Sequence, residues 1–450
     1  MPLVFTEARR TVSLALPIIV GHVGQMLMGW VDTIMVGRLG VVPLGACGFA
    51  NTLLSVPLVF GFGLLSAVSV QVSHAHGAGE MQRASGSVRG GFVVAFWLSM
   101  ASLAGVAFLL PRLEVFGQPS EVNAAVGGYL AICAWSLIPV FFTTVTKNFC
   151  EALGRPWAPF WIMMLGVGLN ALLNWVLIFG HWGAPALGLE GAGWATLVSR
   201  AAVMGALLVY PAASSALSAS WPRRWMESGA WRSAREALVI GLPAGGLHLC
   251  EVSGFAMGSI MMGWISVAAL AAHQIALTCV ATTFMVPLGL SQAVCVRVGH
   301  SRGGRRPERL RPILMGSLFL TVVFMGLTGL ALILWGKIIA AWFVTDPPVL
   351  ELTAQLLVVG GIFQIVDGIQ VVSAGALRGF GDTKVPMGVG ILSYWIVALP
   401  VSYTVAFGLG AGARGVWVGF VVGLTVAAAA FAIRLRRMVR EAASRSPGTP

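Results

Sequence analysis

The sequence predicts an all-α integral membrane protein: twelve transmembrane helices in two parallel, pseudo-symmetric six-helix bundles. Three observations carry this. Of 450 residues, 57% are hydrophobic and only 10% are charged, against roughly a quarter charged in a soluble domain. The apolar residues fall in runs of the roughly 20 residues that a helix needs to cross a hydrocarbon layer about 30 Å thick. The second half of the chain also repeats the first in register.

Taken in order, the first span, 12–36, follows Arg9 and Arg10 and closes at Arg38. It is too long for a signal peptide and has no small-residue cleavage site, so a retained helix is expected. The spans 48–73 and 89–110 flank a polar turn with Arg83, and 126–148 begins after a Gly/Pro-containing loop. The span 157–180 starts after Arg155 and Pro156, and 190–211 completes the first bundle. A basic linker, 212–233, leads to the second set at 234–262, 271–297, 312–335, 350–373, 386–408 and 412–436. The domains expected are therefore 1–211, the linker 212–233, 234–437, and a disordered cytoplasmic tail, 438–450.

The net charge of +12 does not mark a nucleic-acid binder, because the cations alternate by side. Arg9, Arg10, Arg83, Arg89, Lys147, Arg155, Arg378 and Lys384 fall in alternate short loops or at the N-terminus. Arg223, Arg224, Arg232 and Arg235 fill the linker; Arg297, Arg302, Arg305, Arg306, Arg309 and Arg311 follow the eighth span; Arg434, Arg436, Arg437, Arg440 and Arg445 close the chain. The opposite loops hold only Arg38, Arg112, Lys337 and Arg414, and Arg200 lies inside the sixth span. This is the positive-inside pattern, so both termini are expected in the cytoplasm. The six cysteines, Cys47, Cys133, Cys150, Cys250, Cys279 and Cys295, lack CxxC spacing and read as small buried hydrophobes, not as a disulfide or metal framework.

Sliding the chain by 226 residues places Pro17 on Pro243, His22 on His248, Gln25 on Glu251, and Ile34, Met35 and Gly37 on Ile260, Met261 and Gly263. The run Gly63, Leu64, Ala67, Val68, His74 and Gly77 falls on Gly289, Leu290, Ala293, Val294, His300 and Gly303. Further on, Gly188 and Gly191 pair with Gly412 and Gly415 at a shift of 224. Six helices per half is an even number, so both halves start on the same side of the membrane. Parallel repeats of this kind place a binding site between them and serve alternating access.

All but three of the 16 acidic residues lie in loops or near predicted helix ends. Asp32, Glu251 and Asp367 sit among apolar neighbours within spans. A charge near the bilayer centre costs about 2.5–3.5 kcal/mol on insertion scales and usually faces a bundle interior or watery cavity. The bland alternative is that each merely bonds a neighbouring helix, and Arg38, about one and a half turns past Asp32, is placed to neutralise it. Desolvation favours the protonated form of a carboxylate and a nearby cation favours the ionised form. A carboxylate among hydrocarbon therefore exchanges a proton, a sodium ion or an organic cation, the chemistry of an antiporter. Asn170 and Asn174, spaced i and i+4, share a helix face, and Thr196 adds a hydroxyl; neutral oxygens suit a hard cation, although two asparagines also serve as interhelical glue. Gln25, Gln274, His22 and His248 are candidate cavity-lining residues, with packing the competing role. The 18 Met and 23 Phe supply material for an adaptable apolar pocket.

The runs QMLMGWVDTIMVGRLG in the first span, NALLNWVLIFGHWGAPALGLEGAGWAT across the fifth and sixth, AAHQIAL opening the eighth and ALRGFGDTKVPM after the tenth resemble the multidrug and toxic compound extrusion (MATE) transporters. The likeness covers roughly residues 10–435, and acids in both halves make it similar to the NorM-like branch. The resemblance implies a V-shaped pair of bundles in the bacterial inner membrane. It implies export of hydrophobic organic cations in exchange for Na⁺ or H⁺, with no other cofactor, by a monomer whose partners are the bilayer and small hydrophobic or cationic drugs. It places a first-half cation site at Asp32, Asn170, Asn174 and Thr196, and a second-half cation and substrate site at Glu251 and Asp367. One turn before Asp367, where some sodium-coupled relatives would carry a tyrosine, stands Phe363. Its ring face still attracts a cation, but the hydroxyl is missing.

Two other classes of function are weighed. A flippase for a lipid-linked saccharide needs a cationic cavity, for which Arg200 is the one in-span candidate. An intramembrane enzyme needs a nucleophile with a base or a metal cluster, and neither GxSxG nor HExxH occurs; GxxxxGK[ST] is missing too, which speaks against direct ATP drive.

Overall fold

The computed structural model describes residues 2–222, 225 and 229–444. Arg223, Arg224 and Arg445, assigned above to the linker and tail, lie outside the described residues. Among the described residues, twelve helices are long and apolar enough to cross a membrane: α1 (Leu3–Gly37), α2 (Val41–Ala78), α3 (Met81–Phe116), α4 (Ser120–Ala152), α5 (Trp157–Phe179), α6 (Gly188–Ala213), α7 (Ala230–Ile265), α8 (Val267–Gly303), α9 (Pro307–Ala341), α10 (Pro347–Gly379), α11 (Lys384–Gly408) and α12 (Ala413–Ser444). The predicted all-α, twelve-span fold is thus the observed one. Most helices outrun the apolar segments that announce them, because hydropathy marks only the hydrocarbon core whereas the helix continues into polar surroundings. The last helix continues through Ser444, so residues 438–444 are helical where an unstructured tail is expected from sequence.

Local chemistry explains the irregularities. In α4 the helix is interrupted at Ser136, whose hydroxyl turns back to the Cys133 carbonyl at 2.7 Å. In α11 the turns Ile391–Ala398 and Thr404–Gly408 are π-helical; such widened turns re-aim the side chains they carry. Buried glycines let helices approach closely. A Cβ on Gly329 of α9 would come within 2.4 Å of the Gly361 carbonyl of α10, so this pair packs backbone to backbone, as small residues allow in membranes.

Packing divides the chain into two units, Met1–Ile19 with Gly246–Pro450, and Val20–Gly245. The sequence reading divides it at the 212–233 linker. Both packing boundaries lie inside long helices, α1 and α7, two or three residues beyond the repeated Pro17 and Pro243. The unit Val20–Gly245 is termed the first lobe and the other the second lobe. In the second lobe α10 is the central helix, flanked by α8, α9 and α12, and Phe363, Gln364, Asp367, Gln370 and Ser373 along it are all buried.

Candidate functional site

In the first lobe, three helices converge on one carboxylate. Asn174 of α5 donates through Nδ2 to Asp32 Oδ1 of α1 at 2.5 Å and to Asn170 Oδ1 at 3.2 Å. Asn170 donates through Nδ2 to Thr196 Oγ1 of α6 at 3.5 Å. The i, i+4 spacing of the asparagines stacks their amides on one face, and each amide orients the next. The structure therefore brings together all four residues of the predicted first-lobe site. The two asparagines are fully buried and Thr196 is nearly so, whereas Asp32 is half-buried. Among the described residues Asp32 makes no ion pair, to Arg38 or to any other cation, so the neutralisation by Arg38 entertained above is not realised. Asn174 Oδ1 is buried without a hydrogen-bond partner. An unsatisfied amide oxygen beside an unpaired carboxylate forms an oxygen-rich ligand set for a cation.

The second lobe is built differently. Glu251 of α7 accepts a hydrogen bond from Tyr394 Oη of α11 at 3.0 Å on Oε1, and His248 Nδ1 faces Oε2 at 3.6 Å. Asp367 of α10 lies close enough to Glu251 for their charges to interact. It is 4% exposed, and its Oδ1 has no partner. One turn earlier, Gln364 accepts from Thr328 Oγ1 at 2.7 Å while its own Nε2 is buried and unpartnered. Glu251 and Asp367 thus share one neighbourhood. Phe363 is enclosed instead by aromatic edges, with ring centroids 6.0 Å from Phe255 and 5.6 Å from Trp417. A tyrosine hydroxyl is nonetheless present in this lobe, supplied by Tyr394 from a π-helical turn.

Of the remaining predicted lining residues, His22 is half-buried, with Nε2 unpartnered, and Gln25 and Gln274 are exposed on their helices. Several groups that fall at the ends of apolar runs are half-buried or buried, and the in-span Arg200 is half-buried. Lys147 pairs with Glu151 at 3.5 Å on α4, with 15% and 4% of their side chains exposed. Arg297 binds the Glu7 carboxylate, the Glu7 carbonyl and Thr11 Oγ1. Arg378 bonds His248 and Ser291 inside the second lobe. Arg200 donates to Ser136 Oγ at 2.7 Å, at the break in α4. Sequence reasoning also passes over His273. Trp417 Nε1 donates to its Nδ1 at 3.0 Å and Ser259 Oγ lies 3.0 Å from its Nε2; because an indole N–H only donates, the ring hydrogen of His273 sits on Nε2. No cluster of three or more His, Cys, Asp or Glu suited to a resident metal occurs among the described residues, and the six cysteines are free.

The MatE family model matches residues 17–176 and 243–404. The two matches begin at Pro17 and Pro243, the pair that the internal repeat superposes. The chain is 36% identical to a probable multidrug resistance protein NorM of Bradyrhizobium diazoefficiens, over 96% of this chain and 94% of that protein. It is 35% identical to a protein of the same description from Agrobacterium fabrum, over 97% and 95%. Among solved structures it superposes on the eukaryotic MATE transporter AtDTX14 with a TM-score of 0.88 at 20% identity, covering 98% of this chain and 99% of that one. An outward-facing MATE family transporter of the MOP superfamily also gives 0.88, at 19% identity, covering 97% and 96%. At these identities the structural likeness speaks for the fold.

Proposed function

The chain belongs to the MatE family and is a multi-pass multidrug-efflux transporter of the NorM type; from that premise we propose that it is a secondary antiporter exchanging hydrophobic organic cations for Na⁺ or H⁺ by alternating access. One observation carries the reading. Asp32, Glu251 and Asp367 lie inside membrane spans, and among the described residues none is within ion-pairing distance of a lysine or arginine, although Lys147 and Arg297 are half-buried and Arg378 is buried elsewhere in the molecule. Charges held without a fixed counterion in an apolar medium need a mobile one.

Each lobe offers its carboxylates neutral support. The first-lobe ligand set is Asp32, Asn170, Asn174 and Thr196; the second-lobe set is Glu251 and Asp367, with Tyr394 alongside. An ionised carboxylate binds the cationic drug on the cytoplasmic side, and the incoming ion takes its place after the conformational change. Two ligands that compete for one charge weaken each other reciprocally, so coupling follows from linkage. The positive-inside pattern supports insertion in the bacterial inner membrane with both termini cytoplasmic. The protein works as a monomer in the bilayer, with the coupling ion as its only cofactor and no nucleic-acid partner.

The test is ethidium export read as its accumulation inside everted vesicles, whose outer face is the cytoplasmic one, with sodium and proton gradients imposed separately. One of the two gradients is expected to drive efflux, and Asp32→Asn is expected to abolish it while the protein remains in the membrane. Efflux that persists with neither gradient, or full resistance in cells carrying Asp32→Asn, overturns the proposal.

A further inference from the structure

Arg378 stands at the last turn of α10 and is 5% exposed. A guanidinium in an apolar lobe calls for a counterion, yet among the described residues no carboxylate lies within ion-pairing distance of it. Its Nη2 donates to Ser291 Oγ at 3.1 Å, and Ser291 passes its own hydrogen to the Val371 carbonyl at 2.8 Å. Its Nη1 lies 3.1 Å from His248 Nε2. Arginine only donates, so Nε2 accepts and the ring hydrogen of His248 sits on Nδ1, the nitrogen that faces Glu251 Oε2 at 3.6 Å.

We propose that Arg378 is a positioning residue for the Glu251 site. It fixes the tautomer and ring direction of His248, so that an imidazole N–H and not the guanidinium addresses Glu251. The permanent positive charge is thereby held one ring away from the carboxylate. Glu251 is hydrogen-bonded by Tyr394 and faced at 3.6 Å by the His248 Nδ1–H, and it keeps its charge for the transported cation. A direct Arg378 to Glu251 pair would occupy the site permanently.

The internal repeat supplies independent support. Arg378 and Glu151 are equivalent: each lies three residues before a left-handed glycine, Gly381 (φ 76) and Gly154 (φ 74), that caps its helix through the same pair of backbone bonds. In the second lobe the acid at Glu251 coexists with Arg378. In the first lobe the position of Glu251 is held by the neutral Gln25, and Glu151 is paired within its own helix to Lys147. The buried cation with no carboxylate partner thus occurs in the half that places an acid three residues after the repeated histidine.

The inference rests on the reading of Glu251 as an exchange site, and the experiment separates the two. Full-length protein in nanodiscs, with ¹⁵N-labelled histidine, reports the tautomer of His248 by NMR, the signal being assigned by its loss in His248→Asn. Ethidium affinity is followed by fluorescence on the same samples. The wild type is expected to show hydrogen on Nδ1 alone. Arg378→Gln is expected to mix the tautomers and to weaken ethidium binding about tenfold, the scale of lost ligand-orienting contacts. His248→Asn, whose amide N–H takes the place of Nδ1–H, is expected to bind ethidium about fivefold or more tighter than His248→Gln, whose amide reaches the place of Nε2. A wild-type signal with hydrogen on Nε2 overturns the proposal, and so do equal affinities for the two histidine variants; neither result needs Arg378→Gln to fold. If Glu251→Gln binds and exports ethidium like the wild type, the exchange-site reading itself fails. If Glu251→Gln is inactive and Arg378→Gln alters neither tautomer nor affinity, only the role of Arg378 fails.

Discussion

The two lobes share a helix order, a repeated proline and a repeated histidine, yet they treat the charge at the equivalent positions Glu151 and Arg378 in opposite ways, even though the second lobe has a closed pair of its own in Arg297 and Glu7. The first lobe closes its fourth-helix charges on each other, Lys147 on Glu151, and leaves one carboxylate, Asp32, in a relay of amides. The second lobe carries Glu251 and Asp367 within electrostatic reach of one another and keeps the Arg378 guanidinium at the far side of an imidazole. A fixed pair consumes charge to hold helices together, whereas an unpaired carboxylate keeps charge available for a ligand. The same scaffold therefore separates structural from exchangeable ionisation by where it lets opposite charges meet.

The largest expected effect tests that separation on the carboxylates themselves. At an effective dielectric of about 20, one carboxylate about 6 Å from a bound cation contributes on the order of 2–3 kcal/mol, or about a hundredfold in affinity. Replacing both second-lobe acids, Glu251→Gln with Asp367→Asn, is therefore expected to raise the ethidium Kd beyond about a thousandfold, and Asp32→Asn alone to raise it by about a hundredfold. Binding titrations by fluorescence check both. Equal losses in the two proteins would break the comparison, because they would mean that one shared charge, not two unequal sets, determines affinity.

The structural side of the comparison is sharpened on α4. Lys147→Met leaves Glu151 buried and unpaired, which is expected to cost about 3–5 kcal/mol of stability. Adding Glu151→Met removes the stranded charge and is expected to recover most of that loss. Thermal unfolding in detergent, followed by tryptophan fluorescence, reads both. A single variant as stable as the wild type would show that this pair is not the fixed one.

Which of these features were legible beforehand follows from what hydropathy can register. Twelve spans and the acids Asp32, Glu251 and Asp367 stood out because an apolar run advertises itself and a charge within it has no nearby water. Glu7, Glu151, Lys147, Arg297 and Arg378 fell at the ends of apolar runs and so read as solvated. Helices that outrun the hydrocarbon segment carry these side chains into the packed interior of a lobe, where partners from distant parts of the chain, such as Glu7 for Arg297, receive them. Tyr394 was invisible for a different reason: its bond to Glu251 spans 143 residues and is delivered by a π-helical turn that no spacing rule announces. The first-lobe relay was the easier case, since Asn170 and Asn174 show their common face in the i, i+4 spacing and Asp32 shows its charge.

The smallest expected effect concerns how the second lobe makes room for its arginine. A Cβ on Gly375 of α10 would stand 2.4 Å from the Ser291 carbonyl and 2.2 Å from Ser291 Oγ, the group that receives Arg378 Nη2. In the register that pairs Arg378 with Glu151, the first lobe carries Asn148 in place of Gly375, and its amide donates to the Leu65 carbonyl at 3.0 Å. The first lobe ties these two helices through the Asn148 amide, and the second through close backbone approach at Gly375 and the Ser291 to Val371 bond, which leaves the Ser291 oxygen to accept from Arg378. Gly375→Ala is expected to force α8 and α10 apart at a cost of about 1–3 kcal/mol, whereas Asn148→Ala is expected to cost about 1 kcal/mol, the worth of one buried hydrogen bond. Unfolding midpoints of the two variants, measured side by side, check the order. A smaller loss for Gly375→Ala than for Asn148→Ala would mean that Ser291 yields without disturbing the lobe, and that its tight seat beside α10 is not what holds Arg378 in line with His248.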